Sequence, residues 1–422
     1  MVHAARAGDR ATLARELSAA SLHGTFALND AARVAHAVVA REIGSAATPA
    51  DAVARIHDVH ACPAAVDDIL ADRMDTEDAV GGQAAFARVE ARRLDGGGHG
   101  ASTDDGWRAV AMWGATGGSE HDARLRGLVD GSPLVRRAAL HAIADRDDGT
   151  DWGAVFDTAR LDPEPLLRAA AVRALVRMRG APADIAVKLR DLWTDADDGL
   201  RQVLAGAFAS PAVRDAGGVD ALAHLLRTSS GNKAVTVAGA IVGGRIEDAR
   251  LRAAAVTILA AAIREGGHRA RIHAIAVAPL PEGGRDEARV VGDAMQAAAH
   301  AEDLDVRVAA LGRLAATEWK LSPADREHAV QELERLAAPD DDGSLTPRRS
   351  RARFLLAKAG DLRVQAWVEQ DLLSKDPVVR LGAADALAAL GRAARAAPLL
   401  ADDDPSVRTR AACTVMVAAR WP

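Results

Sequence analysis

The sequence predicts an all-α chain: a right-handed α-solenoid of helical hairpins with an N-terminal helical region. Three observations lead there. Apolar residues make up 49% of the 422 residues but aromatics only 3%, and Tyr is absent, so the core must be built from Ala, Leu and Val. Ala alone is roughly a quarter of the chain, far above ordinary usage. It has the highest helix propensity and loses no side-chain entropy on ordering. The third observation is an internal repeat. A sandwich or barrel would call for β-branched and aromatic residues instead. The length exceeds one ordinary compact domain, which leaves several domains or an extended array.

The elements are taken in chain order. Residues 1–94 read as helices near Asp9–Ala20, Asn29–Ile43, Pro49–His60, Pro63–Arg73 and Thr76–Leu94, with Asn29 and Thr48-Pro49 as starts. This stretch is expected to be a helical cap over the open end of an array, or else a separate binding module. Residues 95–105 (DGGGHGASTDD) are a Gly-rich breaker and the expected linker. The array is expected over 106–422.

The repeat centres on an Arg: Arg108, Arg136, Arg168, Arg201, Arg252, Arg307, Arg380 and Arg408. The residue before it is always bulky and apolar, from Trp107 and Val135 through to Val379 and Val407. Three residues on comes Ala, or Leu204 once; seven on comes Ala115, Ile143, Leu175, Phe208, Leu259, Leu314, Leu387 or Val415. Position +6 is usually small, and Arg313 breaks that rule. Offsets −1, +3, +6 and +7 lie on one face of a helix, so this face is the expected core stripe. Asp376-Pro377 and Asp404-Pro405 supply a cap acceptor and a preset first helical residue. The Arg spacings of 28, 32, 33, 51, 55, 73 and 28 leave room for further hairpins near Val219–Arg227, Lys233–Val242 and Pro323–Lys358.

The pattern resembles HEAT repeats, particularly the short bacterial type also found in phycobilisome-lyase-like proteins, over residues 105–422. The resemblance implies stacked hairpins stabilised by nearest-neighbour interfaces, and many purposes are served by that fold. Small residues at +3 and +6 let neighbouring helices approach closely. The Arg sits in the first turn, where the helix dipole disfavours a cation. It is therefore expected to pair with the Asp before an adjacent repeat's helix, with a ligand-binding role as the alternative.

Net charge is −6 with both signs mixed, which argues against a polyanion partner, since phosphate neutralisation supplies most affinity for nucleic acid. No run approaches the ~20 apolar residues of a membrane span. Cys62 and Cys413 are too few and too far apart for a disulfide framework or a zinc set. His57, His60 and Cys62 form the densest ligand-like cluster, but no second cluster completes four ligands. HEAT-like diiron hydroxylases carry repeated His-Glu dyads; Glu120-His121 and Glu327-His328 have the reverse order and number only two. Asp340–Asp342 lacks the alternating spacing of a calcium loop, and Gly96–Gly98 lacks the ending of a phosphate loop. Trp107, Trp113, Trp152, Trp193, Trp319 and Trp367 lie on or beside expected helices and read as packing residues. HEAT-like DNA glycosylases do use Trp with an acid and Arg on a basic surface.

Position +5 lies off the core stripe and varies in chemistry: Trp113, His141, Arg173, Gly206, Thr257, Gly312, Asp385 and Cys413. In HEAT arrays this side lines the concave surface. The expected function is a non-catalytic scaffold that binds a protein or peptide there, with Trp113, His141, Arg173, Thr257 and Asp385 as contact residues. No catalytic residue, cofactor or metal is expected. The alternatives are a HEAT-like DNA-binding protein or DNA glycosylase, and a lyase-like partner subunit. The start, Met1 to Arg10, lacks an apolar leader core, so the cytoplasm is the default compartment, or the cell envelope or periplasm if a leader has been removed.

Overall fold

The computed structural model describes residues 1–22, 26–76, 78–96, 102–115, 120–146, 151–179, 181–278, 285–316, 323–339 and 346–421. Trp319, Asp340–Asp342 and Gly97-Gly98 lie outside the described residues. Every regular element among the described residues is helical. No helix among them is long and apolar enough to cross a membrane.

The N-terminal helices are α1 (Val2–Ala7), α2 (Arg10–Leu22), α3 (Leu28–Gly44), α4 (Pro49–Asp58), α5 (Asp67–Arg73) and α6 (Ala79–Glu90). Next come α7 (Asp105–Trp113), α8 (His121–Leu128), α9 (Pro133–Arg146), α10 (Trp152–Leu161), α11 (Pro165–Arg177), α12 (Ile185–Asp191) and α13 (Asp198–Ala209). The single turn α14 (Pro211–Val213) leads to α15 (Val219–Thr228), α16 (Gly231–Gly243), α17 (Ala249–Glu265), α18 (His268–Val277), α19 (Arg285–Ala298) and α20 (Leu304–Ala315). The last are α21 (Pro323–Ala337), α22 (Pro347–Lys358), α23 (Gln365–Asp371), α24 (Pro377–Ala389) and α25 (Pro405–Ala418). Helices expected near Val219 and Lys233 and in the stretch from Pro323 are present as α15, α16, α21 and α22.

Local chemistry sets many of the starts. The Asp376 carboxylate accepts from Val378 N–H and that of Asp404 from Ser406 N–H, with Pro at the first helical position of both helices. Thr48, Asp78, Asp197, Asp248, Asp303 and Thr346 cap their helices in the same way. The expected core stripe is buried: Val135, Ala139 and Ile143 on α9, Leu167, Ala171 and Leu175 on α11, Val407, Ala411 and Val415 on α25. Leu251 and Ala111 are half-buried departures at −1 and +3, and Gly114, Ile258, Arg313 and Thr414 are half-buried at +6.

The chain divides into two compact units. One comprises Met1–Asp95, Ala101–Val110 and Glu327–Pro422; the other comprises Gly96–Gly100 and Ala111–Arg326. The stretch expected as an N-terminal region therefore shares a unit with the last repeats. In that unit α3 packs along α25, α1 packs on α3, and α4 and α5 pack on α6. Its central position explains why α3 buries Ala31, Ala32, Val34, Ala35, Ala37, Val38, Val39 and Ile43, which go most of the way round the helix. Between α6 and α7 two glycines meet: a Cβ on Gly106 would overlap the Gly82 carbonyl, so only bare backbone fits this crossing. Asp104 fixes the same corner by accepting from the N–H groups of Gly106 and Trp107.

The two cysteines correct the sequence reading, which gave them no paired role. Cys62 and Cys413 form a disulfide across 351 residues, with Cα atoms 5.5 Å apart, and both are buried. Their distance along the chain was no guide, because α25 lies against the segment that follows α4. Around the bond, the Arg55 guanidinium donates to Ser406 Oγ at 2.9 Å and Ser406 Oγ donates to Asp58 at 2.8 Å.

Several of the periodic Arg residues pair as the expected ladder, whereas Arg108 and Arg201 reach Asp105 and Asp198 three residues back on their own helices and Arg307 donates to the Ala301 carbonyl. Arg136 donates to both oxygens of Asp162 at 2.8 and 3.2 Å, and Asp162 lies in the loop before α11. Arg168 reaches Asp197, the cap of α13, at 2.7 Å. Arg380 reaches Asp402 before α25 at 2.7 Å, and Arg252 reaches Glu287 on α19 at 2.9 Å. Arg136, Arg168, Arg307, Arg380 and Arg408 each also donate to the carbonyl six residues upstream. Arg408, on α25, also has an acidic partner. Its carboxylate is Glu42 on α3, at 2.7 Å, so the N-terminal segment takes the place of a next hairpin.

Candidate functional site

The candidate surface is built from the +5 positions of consecutive Arg helices. Trp113 closes α7 and His141 lies in mid-α9. Their rings stack with centroids 3.5 Å apart at 21°. His141 Nδ1 lies 3.1 Å from the carboxylate of Asp145, one turn on. Asp145 in turn accepts from Arg177 on α11 at 2.8 Å. Arg173, one turn before Arg177, is exposed on that helix. Helical geometry explains the sequence: residues four apart share a face, so +5 and +9 of neighbouring helices meet edge to edge.

The structure therefore brings Trp113, His141 and Arg173 onto successive helices of one unit. Thr257 is exposed on α17 of the same unit, where its hydroxyl donates to the Ala253 carbonyl at 2.9 Å. Asp385 belongs to the other unit, where it is exposed on α24 and accepts from Thr414 at 3.0 Å. Gly206 is exposed and Gly312 half-buried. Cys413 corrects the ladder: as a buried disulfide cysteine it offers nothing to a partner. Asp145 and Arg177 were missed from the sequence. Their signal was the same periodicity extended by one turn, from +5 to +9.

Other candidates resolve into structural roles. His60 Nδ1 lies 2.7 Å from the His57 carbonyl oxygen, and the sulfur of Cys62 is taken by Cys413. His121 Nδ1 lies 2.9 Å from the buried carboxylate of Asp151, with Arg124 on its other side at 3.6 Å. This ties α8 to the start of α10. Glu327 and His328 belong to the other unit from Glu120 and His121. His268, Asp303 and Asp305 bring three possible ligand atoms within 4.8 Å of one another. Asp303, however, caps α20 with one oxygen and holds His268 at 2.7 Å with the other. That His268 contact, with the capping N–H groups, holds the Asp303 carboxyl below the usual carboxylate range.

Buried titratable chemistry is concentrated elsewhere. Arg353 on α22 pairs with Asp371 at the end of α23 and donates to the Ala337 carbonyl at 2.9 Å. Its guanidinium lies 5.8 Å from the Trp367 ring centre. Burial pushes Asp371 up to about 6, against the opposing pull of Arg353. The pair links α22 and α23 and is closed to solvent.

No family model matches the sequence, and no curated protein matches it. Among solved structures it is similar to an engineered protein at 19% identity, over 76% of this chain and 97% of that one, with a TM-score of 0.29. A likeness that slight transfers neither fold nor function.

Proposed function

We propose that this chain is a non-catalytic scaffold that binds a protein or peptide through the +5 face of its Arg helices. Within each unit the helical hairpins would stack in the manner of HEAT-like solenoid repeats. One observation carries the reading: Trp113, His141, Asp145, Arg177 and Arg173 form a mixed surface spread over three successive Arg helices. Distributed aromatic and Arg side chains on a rigid support suit a macromolecular partner. The Cys62–Cys413 bond favours an oxidising compartment, such as the cell envelope, over the cytoplasm.

The test is affinity capture from the native organism with the wild type and with Arg173→Glu, Thr257→Arg. Both positions are exposed, so circular dichroism should stay the same. A partner retained by the wild type and lost by the variant is expected. Equal capture by both would place the binding surface elsewhere.

A further inference from the structure

A cavity of about 470 Å³ opens between α12, α15 and the start of α16, inside the Ala111–Arg326 unit. Its size falls within the roughly 300–1,000 Å³ of sites that enclose a small ligand. Arg190 and Asp191 close α12, and Trp193 and Thr194 follow. His224 lies on α15, and Ser229 and Ser230 lead into α16, whose third residue is Lys233.

The cavity is rich in donors that lack acceptors. The Arg190, Lys233 and His224 side chains have no hydrogen-bond or ion-pair partner among the described residues. Trp193 is only 6% exposed, yet its indole N–H, which normally finds an acceptor when buried, has none among the described residues. Ser230 stands at the cap position of the 13-residue α16 without capping it, so the first N–H groups of that helix stay open. Lys233 adds a full charge in the same turn, where the helix dipole opposes a cation. The periodic Arg residues meet that problem with a carboxylate; Lys233 has none.

Opposing charge is small. Asp191 is the one carboxylate among the described residues that line the cavity. Asp198 lies 3.4 Å from Asn232 but is held by Arg201 and does not line the cavity. The last turn of α15 engages two of its own carbonyls: the Thr228 hydroxyl donates to that of His224 at 3.0 Å, and Ser229 N–H to that of Leu225 at 2.9 Å. Two cations and several neutral donors therefore face a single carboxylate.

We infer that this cavity binds a phosphate group, free or as the end of a small ester. Its oxygens accept from Lys233 and the first N–H groups of α16, while Arg190 and Trp193 donate from the α12 side. A polar ester group lies beside Thr194 and Ser229. The site shares no residue with the +5 face, and neither reading depends on the other.

Isothermal titration of the full chain at low salt tests this with glucose 6-phosphate, inorganic phosphate, glucuronate and glucose. At least one phosphate compound should bind saturably, glucose should not bind, and glucuronate, with a carboxylate in place of the phosphate, should be at least about tenfold weaker than the tighter phosphate compound. Inorganic phosphate binding as tightly as the ester, or tighter, assigns the site to the free ion; weaker binding assigns it to an ester. Lys233→Ala and Arg190→Gln should each weaken binding about fivefold or more, and Trp193→Phe, which keeps a ring and loses the N–H, about twofold or more. Circular dichroism checks the fold of each variant. Lys375→Ala, an exposed cation in the other unit, should leave binding unchanged. The proposal fails if neither phosphate compound binds saturably, if glucuronate matches them, or if Lys233→Ala binds as the wild type does. It also fails if Lys375→Ala weakens binding as much as Lys233→Ala, because the phosphate is then held by general surface charge.

Discussion

Asp162→Ala offers the sharpest test of the Arg ladder. The Arg136 and Asp162 side chains are 9% and 3% exposed, and two N–H···O bonds join them at 2.8 and 3.2 Å. Removing the carboxylate leaves a guanidinium with only the Asp130 and Gly131 carbonyls as acceptors. It also removes the acceptor for Glu164 N–H. Breaking a buried pair from one side costs about 3–5 kcal/mol, because the surviving charge has lost its compensation. An apolar replacement of both, Arg136→Met with Asp162→Leu, leaves no such charge and should recover at least half of that loss. Urea unfolding followed by far-UV circular dichroism measures Asp162→Ala and the four corners of the cycle, which are the wild type, Arg136→Met, Asp162→Leu and the double variant. A single-variant loss below about 1 kcal/mol, the range of exposed pairs, would refute the claim that this rung is desolvated. Strict additivity of the two single losses would refute the coupling.

Three further outcomes follow from the described geometry. Removing the disulfide by Cys62→Ser, Cys413→Ser should lower the stability of its unit by at most about 6 kcal/mol, the chain-entropy value for so long a loop; in thermal scans the variant should melt with the reduced wild type and below the oxidised wild type, and unchanged melting on reduction would contradict the bond. Asp371 binds its proton more tightly folded than unfolded, so its contribution is complete below about pH 4 and is lost as pH rises through about 6, by about 3 kcal/mol. Asp371→Asn should flatten that part of the stability–pH curve, and an unaltered slope would show the carboxyl ionising normally. Gly106→Ala should cost about 1–3 kcal/mol by overpacking against Gly82, whereas Gly131→Ala, with open space around it, should cost nothing measurable by the same urea titration.

The periodic features were readable because they are local. Val135, Ala139 and Ile143 announce a buried stripe by spacing alone, and Asp376 and Asp404 announce caps by standing before Pro. The ladder followed from the same logic, since a first-turn Arg needs an anion and the next hairpin's loop supplies one. What spacing does not encode is which distant segment fills the place after the final helix. Glu42 is 366 residues from Arg408, and nothing in its own neighbourhood marks it as that Arg's partner. Cys62 and Cys413 were misread for the same reason. On the +5 face, Trp113, His141 and Arg173 were legible as chemistry off the core stripe, but the Asp145–Arg177 bridge needs the relative rotation of α9 and α11.

The partnership of α3 with α25 has a consequence for how the protein is made. Nearly the whole of one unit is a contiguous insertion, Ala111–Arg326, and can assemble as it leaves the ribosome. The other cannot. Val34, Val38 and Ile43 emerge early, yet much of what covers them is translated some 360 residues later. At about 5–20 residues per second, that wait lasts on the order of 20–70 seconds. For that interval α3 presents an apolar surface without its cover, and Cys62 is a thiol awaiting its partner. A nascent chain of this design needs something to shield it, and a stop codon placed just before α25 would harm residues near the opposite terminus more than those in the middle.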